Sequence, residues 1–408
     1  MRGPTHAPVE ILAPLGGRLI NRVTVLLSLL VVAMVGVLAA RFLFGLGAVT
    51  NLSDGYPWGI WIAFDVVAGS ALATGGFVTA FLVYIINRGE YHPIVRPALL
   101  ASLFGYAQAG VSIFFDLGRY WDFWHIFWPG YSQVNSLLFE VALCISAYVL
   151  VMMIEISPVV LGRLGFDRTR RRLERVLFVF IAIGVLLPSM HQSSLGSILV
   201  VFGPQVHPLY QSSMLPLLFL ISCVGMGFAA VVLEGIIAAV ALERWCEREL
   251  LGRLAQIGRL LLAIFLVVRF ADVAVRGVLG RAFEASAPAA TFWLENALLA
   301  LPLILLSTPA RRRRMKLIFV SACAMAAGGV VYRLAAFLVA YDTGPGWHYF
   351  PSLGEITVTI GLNAFEVLAF ILAIRLLPIL PHPHALLQPR PQPPSNPAAP
   401  RAPDGAGS

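Results

Sequence analysis

Apolar residues occur along this chain in long stretches, separated by short segments that collect the polar residues. A hydrocarbon core of roughly 30 Å takes about 20 consecutive apolar residues in a helix, and such stretches recur over most of the chain. The pattern predicts an all-α, polytopic transmembrane helical bundle of about ten helices. The predicted spans are approximately 20–44, 58–86, 94–118, 134–156, 175–195, 212–242, 254–280, 291–308, 315–341 and 355–378.

Arginines concentrate in alternate loops. Arg18 and Arg22 precede the first span, and further arginines fill the loops after the second, fourth, sixth and eighth spans. The intervening loops are poorer in basic residues, since residues 196–211 carry no formal charge and residues 341–355 carry only acids. Cytoplasmic loops hold the excess of Lys and Arg in membrane proteins. We therefore expect both termini in the cytoplasm and the bundle in the cell inner membrane.

The composition excludes a soluble protein. Of the 408 residues, 59% are hydrophobic and 12% are charged, against about 25% charged in soluble domains. The net charge is +8, and the basic residues that produce it lie at helix ends. This position favours contact with anionic lipid over contact with nucleic acid. The four cysteines are isolated and predict no metal site. We expect a membrane domain over residues 1–380 and a disordered, Pro-rich cytoplasmic tail over 381–408.

Several ionisable side chains fall inside the predicted spans, where charge is costly, so each is a candidate functional residue. Asp65, Glu140 and His191 are expected toward the outer side, and Glu155 and Glu234 toward the inner side. Groups arranged in this way are typical of a proton relay. The other candidates within the spans are Asp116, Arg269, Asp272, Glu295, Arg333 and Glu366.

Structural roles stay open for some of these residues. Glu155 and Glu234 could pair with cytoplasmic arginines, and Asp65, which follows two tryptophans, could lie at the membrane interface. Arg269 and Asp272 are three residues apart on one helix, so they could neutralise each other.

Two loops on the predicted outer side, residues 120–131 and 347–350, are rich in aromatic residues. They could form an interfacial belt, a docking face for a soluble partner, or the mouth of an apolar ligand site.

A membrane haem site needs paired axial ligands, usually histidines, at matched depth. Of the eight histidines, only His191 falls within a span, and no cysteine cluster occurs. The sequence therefore predicts no haem and no iron–sulfur cluster in this chain.

The run from Tyr56 to Asp65, YPWGIWIAFD, is the most distinctive motif. With Arg96-Pro97, Tyr106, the segment from Asn135 to Glu140 and the segment ending at Pro158, it resembles the NrfD/PsrC-like family of quinone-interacting membrane subunits. The resemblance is closest to the ten-helix HybB branch, typified by the membrane subunit of a nickel–iron hydrogenase.

This resemblance implies a subunit that passes electrons between a ferredoxin-like iron–sulfur partner on the outer face and the menaquinone or ubiquinone pool. Hydrogenase or molybdoenzyme subunits would then act on the primary substrate. Reducing a quinone takes two protons with two electrons, so the site needs proton donors and a route that refills them. The quinone vicinity implied by the resemblance comprises Asp65, Tyr106, Arg96 and His191. The implied proton relay comprises Glu140, Glu155, His191 and Glu234.

Other functions remain open on the sequence. The chain could be the quinol-oxidising anchor of a molybdoenzyme reductase of the polysulfide or tetrathionate type. It could also be a proton-coupled transporter without a redox role, or a passive membrane anchor.

Overall fold

The computed structural model describes residues 14–16, 19–241 and 248–380. The predicted disordered tail, residues 381–408, lies outside the described residues. Ten long helical segments, labelled α1 to α10 in chain order, form the bundle. They are α1 Arg22–Phe44, α2 Ile62–Ile85, α3 His92–Asp116, α4 Leu137–Arg163, α5 Asp167–Phe202, α6 Leu215–Ala241, α7 Arg248–Val275, α8 Ala287–Leu305, α9 Met315–Leu334 and α10 Leu353–Leu376.

The predicted all-α membrane bundle is confirmed. Within the described ranges, nine helices are long and apolar enough to cross a membrane, and α7 is the remaining long helix. Helices that follow each other in sequence pack side by side from α3 to α7, and α8 packs on α9. Contacts of α1 with α10 and of α6 with α9 join distant parts of the chain.

Two helices depart from their predicted bounds at candidate residues. Helix α4 begins at Leu137 rather than near 134, because the preceding residues form a turn in which Ser136 N–H donates to the Gln133 carbonyl over 2.9 Å. Glu140 therefore lies in the first turn of α4. Helix α5 continues to Phe202, past its predicted end at 195, and His191 lies well within it.

Helix α2 is the buried centre of the bundle. Residues buried inside the protein make up 83% of its most apolar window, against 17% for α1 at the periphery. Its first and last turns are π-helical, and residues Ser70–Leu72 and Gly75–Ala80 are α-helical. Glycine lets α6 approach it closely, since a Cβ on Gly227 would lie 2.5 Å from Thr74 Oγ1. Side chains on α2 thus contact several other helices.

The loops before α2 and before α10 fold together around Glu355. Ser352 and Glu355 form a reciprocal cap at the start of α10. The Tyr349 hydroxyl donates to Glu355 Oε1 over 2.6 Å and accepts from the Ile60 N–H over 2.6 Å. Burial, together with the Glu355 carboxylate, raises the pKa of Tyr349, so the phenol stays protonated. This contact fixes the loop from which α2 begins.

Candidate functional site

A buried aromatic group joins α3, α4 and α5 in the middle of the bundle. The rings of Tyr106 and His191 lie 5.8 Å apart between centroids, and Tyr148 packs edge-on against Tyr106 at 4.6 Å. Tyr106 and His191 are both 0% exposed. The Tyr106 hydroxyl and both ring nitrogens of His191 have no hydrogen-bond partner among the described residues. Because buried polar atoms are nearly always paired, these atoms are candidates to bind a ligand or water.

Next to this group lies a network centred on Arg333 of α9. Its guanidinium donates to Gln192 Oε1 over 3.0 Å, to Ser222 Oγ over 2.9 Å and to the Phe219 carbonyl over 3.0 Å. Gln192 in turn donates to Ser70 Oγ on α2 over 2.9 Å. Because Gln192 directly follows His191 on α5, the network and the aromatic group form one polar centre. We call the residues of the aromatic group and of the Arg333 network together the Tyr106–His191–Arg333 centre.

Asp65 belongs to a second polar group, between α2, α3 and α10. Asp65 is 1% exposed, so other helices enclose its side chain. Its Oδ1 accepts from Gln108 Nε2 over 3.1 Å and from Asn363 Nδ2 over 3.3 Å. Its Oδ2 has no partner among the described side chains and backbone. Gln108 and Tyr106 are two residues apart on α3, hence about 200° apart around it, so Asp65 faces a different side of α3 from Tyr106.

Glu366 continues the Asp65 group toward the other end of α10. It is three residues beyond Asn363, about one helical turn. A Cβ on Gly105 would lie 3.1 Å from Glu366 Oε1, so this carboxyl packs against the bare backbone of α3. Glu366 is near enough to interact electrostatically with both Asp65 and Glu234. We refer to Asp65, Glu366 and Glu234 below as the carboxyl series.

The other predicted site residues lie apart from these groups. Arg96 is ten residues from Tyr106 on α3, about 15 Å of helix, so the structure does not bring it to the quinone vicinity expected from the sequence. It lies instead within electrostatic reach of Tyr84, near the end of α2. Glu140, in the first turn of α4, is half-exposed and lies at the opposite end of that helix from Glu155. The four predicted relay residues are thus not contiguous.

One expected ion pair is wrong. Arg269 pairs with Glu295 of α8 over 3.0 Å, with both side chains 0% exposed. Asp272 pairs instead with Arg276, over 2.7 Å. Spacing along one helix could not reveal this, because the partner of Arg269 comes from another helix.

Sequence reasoning missed the neutral members of both groups. Gln108, Asn363, Gln192 and Ser222 carry no charge, and they were not singled out, although each supplies a hydrogen bond to a buried charged group. Carboxamides inside apolar helices were the available signal, because such polar side chains are also costly in a membrane.

Three relatives are similar to this chain: two over most of its length and one over a shorter segment. The chain is 44% identical over 371 residues, 90% of its length and 95% of the relative, to the "Probable Ni/Fe-hydrogenase 2 b-type cytochrome subunit" of Escherichia coli. It is 28% identical over 83% of its length, and 86% of the relative, to the "Menaquinone reductase, integral membrane subunit" of Nitratidesulfovibrio vulgaris. A 108-residue segment, 26% of this chain and 25% of the relative, is 30% identical to a selenate reductase subunit of Mesobacillus selenatarsenatis.

The prediction that this chain holds no haem is wrong by this comparison, because the Escherichia coli relative is named a b-type cytochrome subunit. The prediction of no haem came from counting histidines, on the assumption that haem iron is held by a pair of histidine ligands. In the described ranges His191 is a buried imidazole with both nitrogens unpartnered. The remaining histidines there, namely His92, His125, His207 and His348, lie at helix starts or in loops. These described residues do not form a bis-histidine pair.

A family model described as "Polysulphide reductase, NrfD" matches residues 48–343, about three-quarters of the chain. The match runs from the loop before α2 to the loop after α9, and so contains Asp65, Tyr106, His191, Glu234 and Arg333. The chain also covers 95% of the length of a relative to which it is 44% identical. The chain therefore belongs to the polysulphide reductase NrfD family of membrane subunits.

Proposed function

We propose that this chain is the membrane subunit of a hydrogenase-type complex in the cell inner membrane. It would pass electrons between an iron–sulfur partner on the outer face and menaquinone or ubiquinone. The observation that carries the proposal is the pair of buried, unpartnered donors, the Tyr106 hydroxyl and the His191 imidazole. A quinone head group carries two carbonyl oxygens, which accept hydrogen bonds and then take up protons as they are reduced.

Proton supply is assigned to the carboxyl series. A proton that leaves Tyr106 or His191 must be replaced, and carboxyls at membrane depth are the groups that proton relays use. We propose that Asp65, Glu366 and Glu234 form this route, with water bridging the gaps. The predicted roles of Glu140 and Glu155 remain hypotheses for the two ends of α4.

The partner would dock on the outer loops. In the loop from Tyr120 to Tyr131, most of the aromatic side chains are exposed, among them Trp121, Trp124, Trp128 and Tyr131. The 44% identity to a hydrogenase subunit favours hydrogen as the source of electrons. The likeness to the menaquinone and selenate reductase subunits supports the alternative of a quinol-linked molybdoenzyme anchor. Sequencing the proteins that copurify with the chain decides between the two.

Tyr106→Phe tests the quinone site. The variant removes one hydroxyl without changing the packing of the ring, so hydrogen-dependent quinone reduction by the assembled complex should fall about ten-fold. Reduction of an artificial dye at the iron–sulfur partner should be unchanged. Tyr332→Phe is the matched control, because this hydroxyl is also buried and unpartnered in the described chain but lies beside Arg269. Equal quinone activity in the Tyr106 variant and the control would exclude the site.

A further inference from the structure

Arg333 is a fully buried cation whose described neighbours carry no opposite charge. Its guanidinium is 0% exposed, and its acceptors are an amide oxygen, a hydroxyl, a thioether sulfur and a backbone carbonyl. The Phe219 ring lies 4.9 Å from the guanidinium carbon. Within the described ranges, no carboxylate oxygen comes within 4.0 Å of it.

The other two buried arginines of the described residues differ in this respect. Arg269 forms an ion pair with Glu295 over 3.0 Å. Arg41 donates to two backbone carbonyls and lies within electrostatic reach of Asp116. Burying an ion without a counter-charge costs several kcal/mol, and ionisable residues at membrane depth usually mark function. The positive charge of Arg333 is therefore available to an anion that this centre binds or generates.

The position of Arg333 identifies that anion. The guanidinium holds Gln192, the neighbour of His191, and is close enough to interact electrostatically with both Tyr106 and His191. On the proposed function, this is where a quinone accepts two electrons from the iron–sulfur partner and two protons to become quinol. Electrons that arrive ahead of protons leave negative charge on the quinone oxygens.

We propose that Arg333 stabilises this negative charge, and so makes the bound quinone easier to reduce. The proposal rests on the proposed function of the same centre. A fixed positive charge in a water-poor site acts strongly on charge that develops during a reaction. Arg333 acts through its electric field and through Gln192, so it is a positioning residue whose charge is essential.

The test compares quinone analogues of different reduction potential in the complete membrane-bound complex. Arg333→Met should slow reduction of low-potential naphthoquinones by about ten-fold or more and high-potential benzoquinones much less. Arg333→Lys, which keeps the charge, should restore much of the loss. Dye reduction at the iron–sulfur partner should match the wild type in both variants.

Ser222→Asp tests the same idea while keeping the guanidinium. Ser222 Oγ accepts from Arg333 over 2.9 Å, so an aspartate there would pair with Arg333 and cancel its field. It should reproduce the selective loss with low-potential analogues even if Arg333→Met fails to assemble. Uniform slowing of all analogues, or no slowing, in Ser222→Asp would overturn the proposal. A wild-type complex that neither reduces a quinone nor oxidises a quinol would refute the proposed function instead.

Discussion

At the scale of single residues, the carboxyls within the bundle differ in their surroundings. Glu295 has Arg269 as a fixed ion-pair partner, which suits a structural role. Asp65 has two amide donors on one oxygen and none on the other. The carboxyl of Glu366 forms no hydrogen bond with the described residues. It is near enough to interact electrostatically with Asp65 and with Glu234. A group that can gain and lose a proton without breaking an ion pair is suited to a relay.

Glu366→Gln should therefore slow quinone turnover by about ten-fold or more, because the amide keeps the shape but cannot carry the proton. Proton transfer would then limit the rate, so the solvent isotope effect in deuterium oxide should rise above the wild-type value. Glu366→Asp should recover part of the rate. Glu284→Gln, an exposed change in the loop after α7, is the control. A normal rate with an unchanged isotope effect in Glu366→Gln would remove this residue from the route.

At the scale of helices, close approach depends on glycines that face the centre of the bundle. A Cβ on Gly227 would lie 2.5 Å from Thr74 Oγ1 and 3.1 Å from the Thr74 carbonyl carbon. Backbone cannot move aside as a flexible side chain can. Small residues let membrane helices pack this closely, and the contact sets the distance between α6 and α2, and so between Ser222 and Ser70.

Gly227→Ala should thus destabilise the protein by about 1–3 kcal/mol, the usual range for overpacking. Gly36→Ala is a matched control on α1, where an added Cβ meets nothing within 4 Å. Thermal unfolding of the purified complex should show a lower Tm for the first variant and an unchanged Tm for the second. If both variants melt like the wild type, helix α6 does not need this glycine.

Helices were predictable from the sequence, but their rotation was not. Hydropathy reports which residues are at membrane depth, because spans need about 20 apolar residues. It does not report which helix each side chain faces. Tyr106 and Asp65 were assigned to one site, whereas Asp65 bonds to Gln108 on another side of α3. The partners of Arg269 and Arg333 come from other helices, so only the assembled bundle reveals them.

At the scale of the whole molecule, the polar groups are distributed along the bundle between two unlike ends. One end carries the aromatic loop from Tyr120 to Tyr131 and the cap at Glu355. The other carries the arginine-rich loops, among them the turn Arg311–Arg313. From Asp65 the carboxyl series passes Glu366 toward Glu234, at the arginine-rich end. Which compartment supplies protons to the quinone therefore depends on which end faces the cytoplasm.

The positive-inside rule predicts that the arginine-rich end lies in the cytoplasm, and cysteine labelling tests this directly. In a variant with its four cysteines replaced by alanine, a single cysteine at Asp122 should react with a membrane-impermeant maleimide on spheroplasts. A single cysteine at Arg313 should react only in inverted vesicles. The pair at Asp122 and Arg313 serves as its own control, because each preparation should label one site and spare the other. The opposite pattern would invert the bundle, move the proposed partner face to the cytoplasm, and require protons for Glu234 from the outer side.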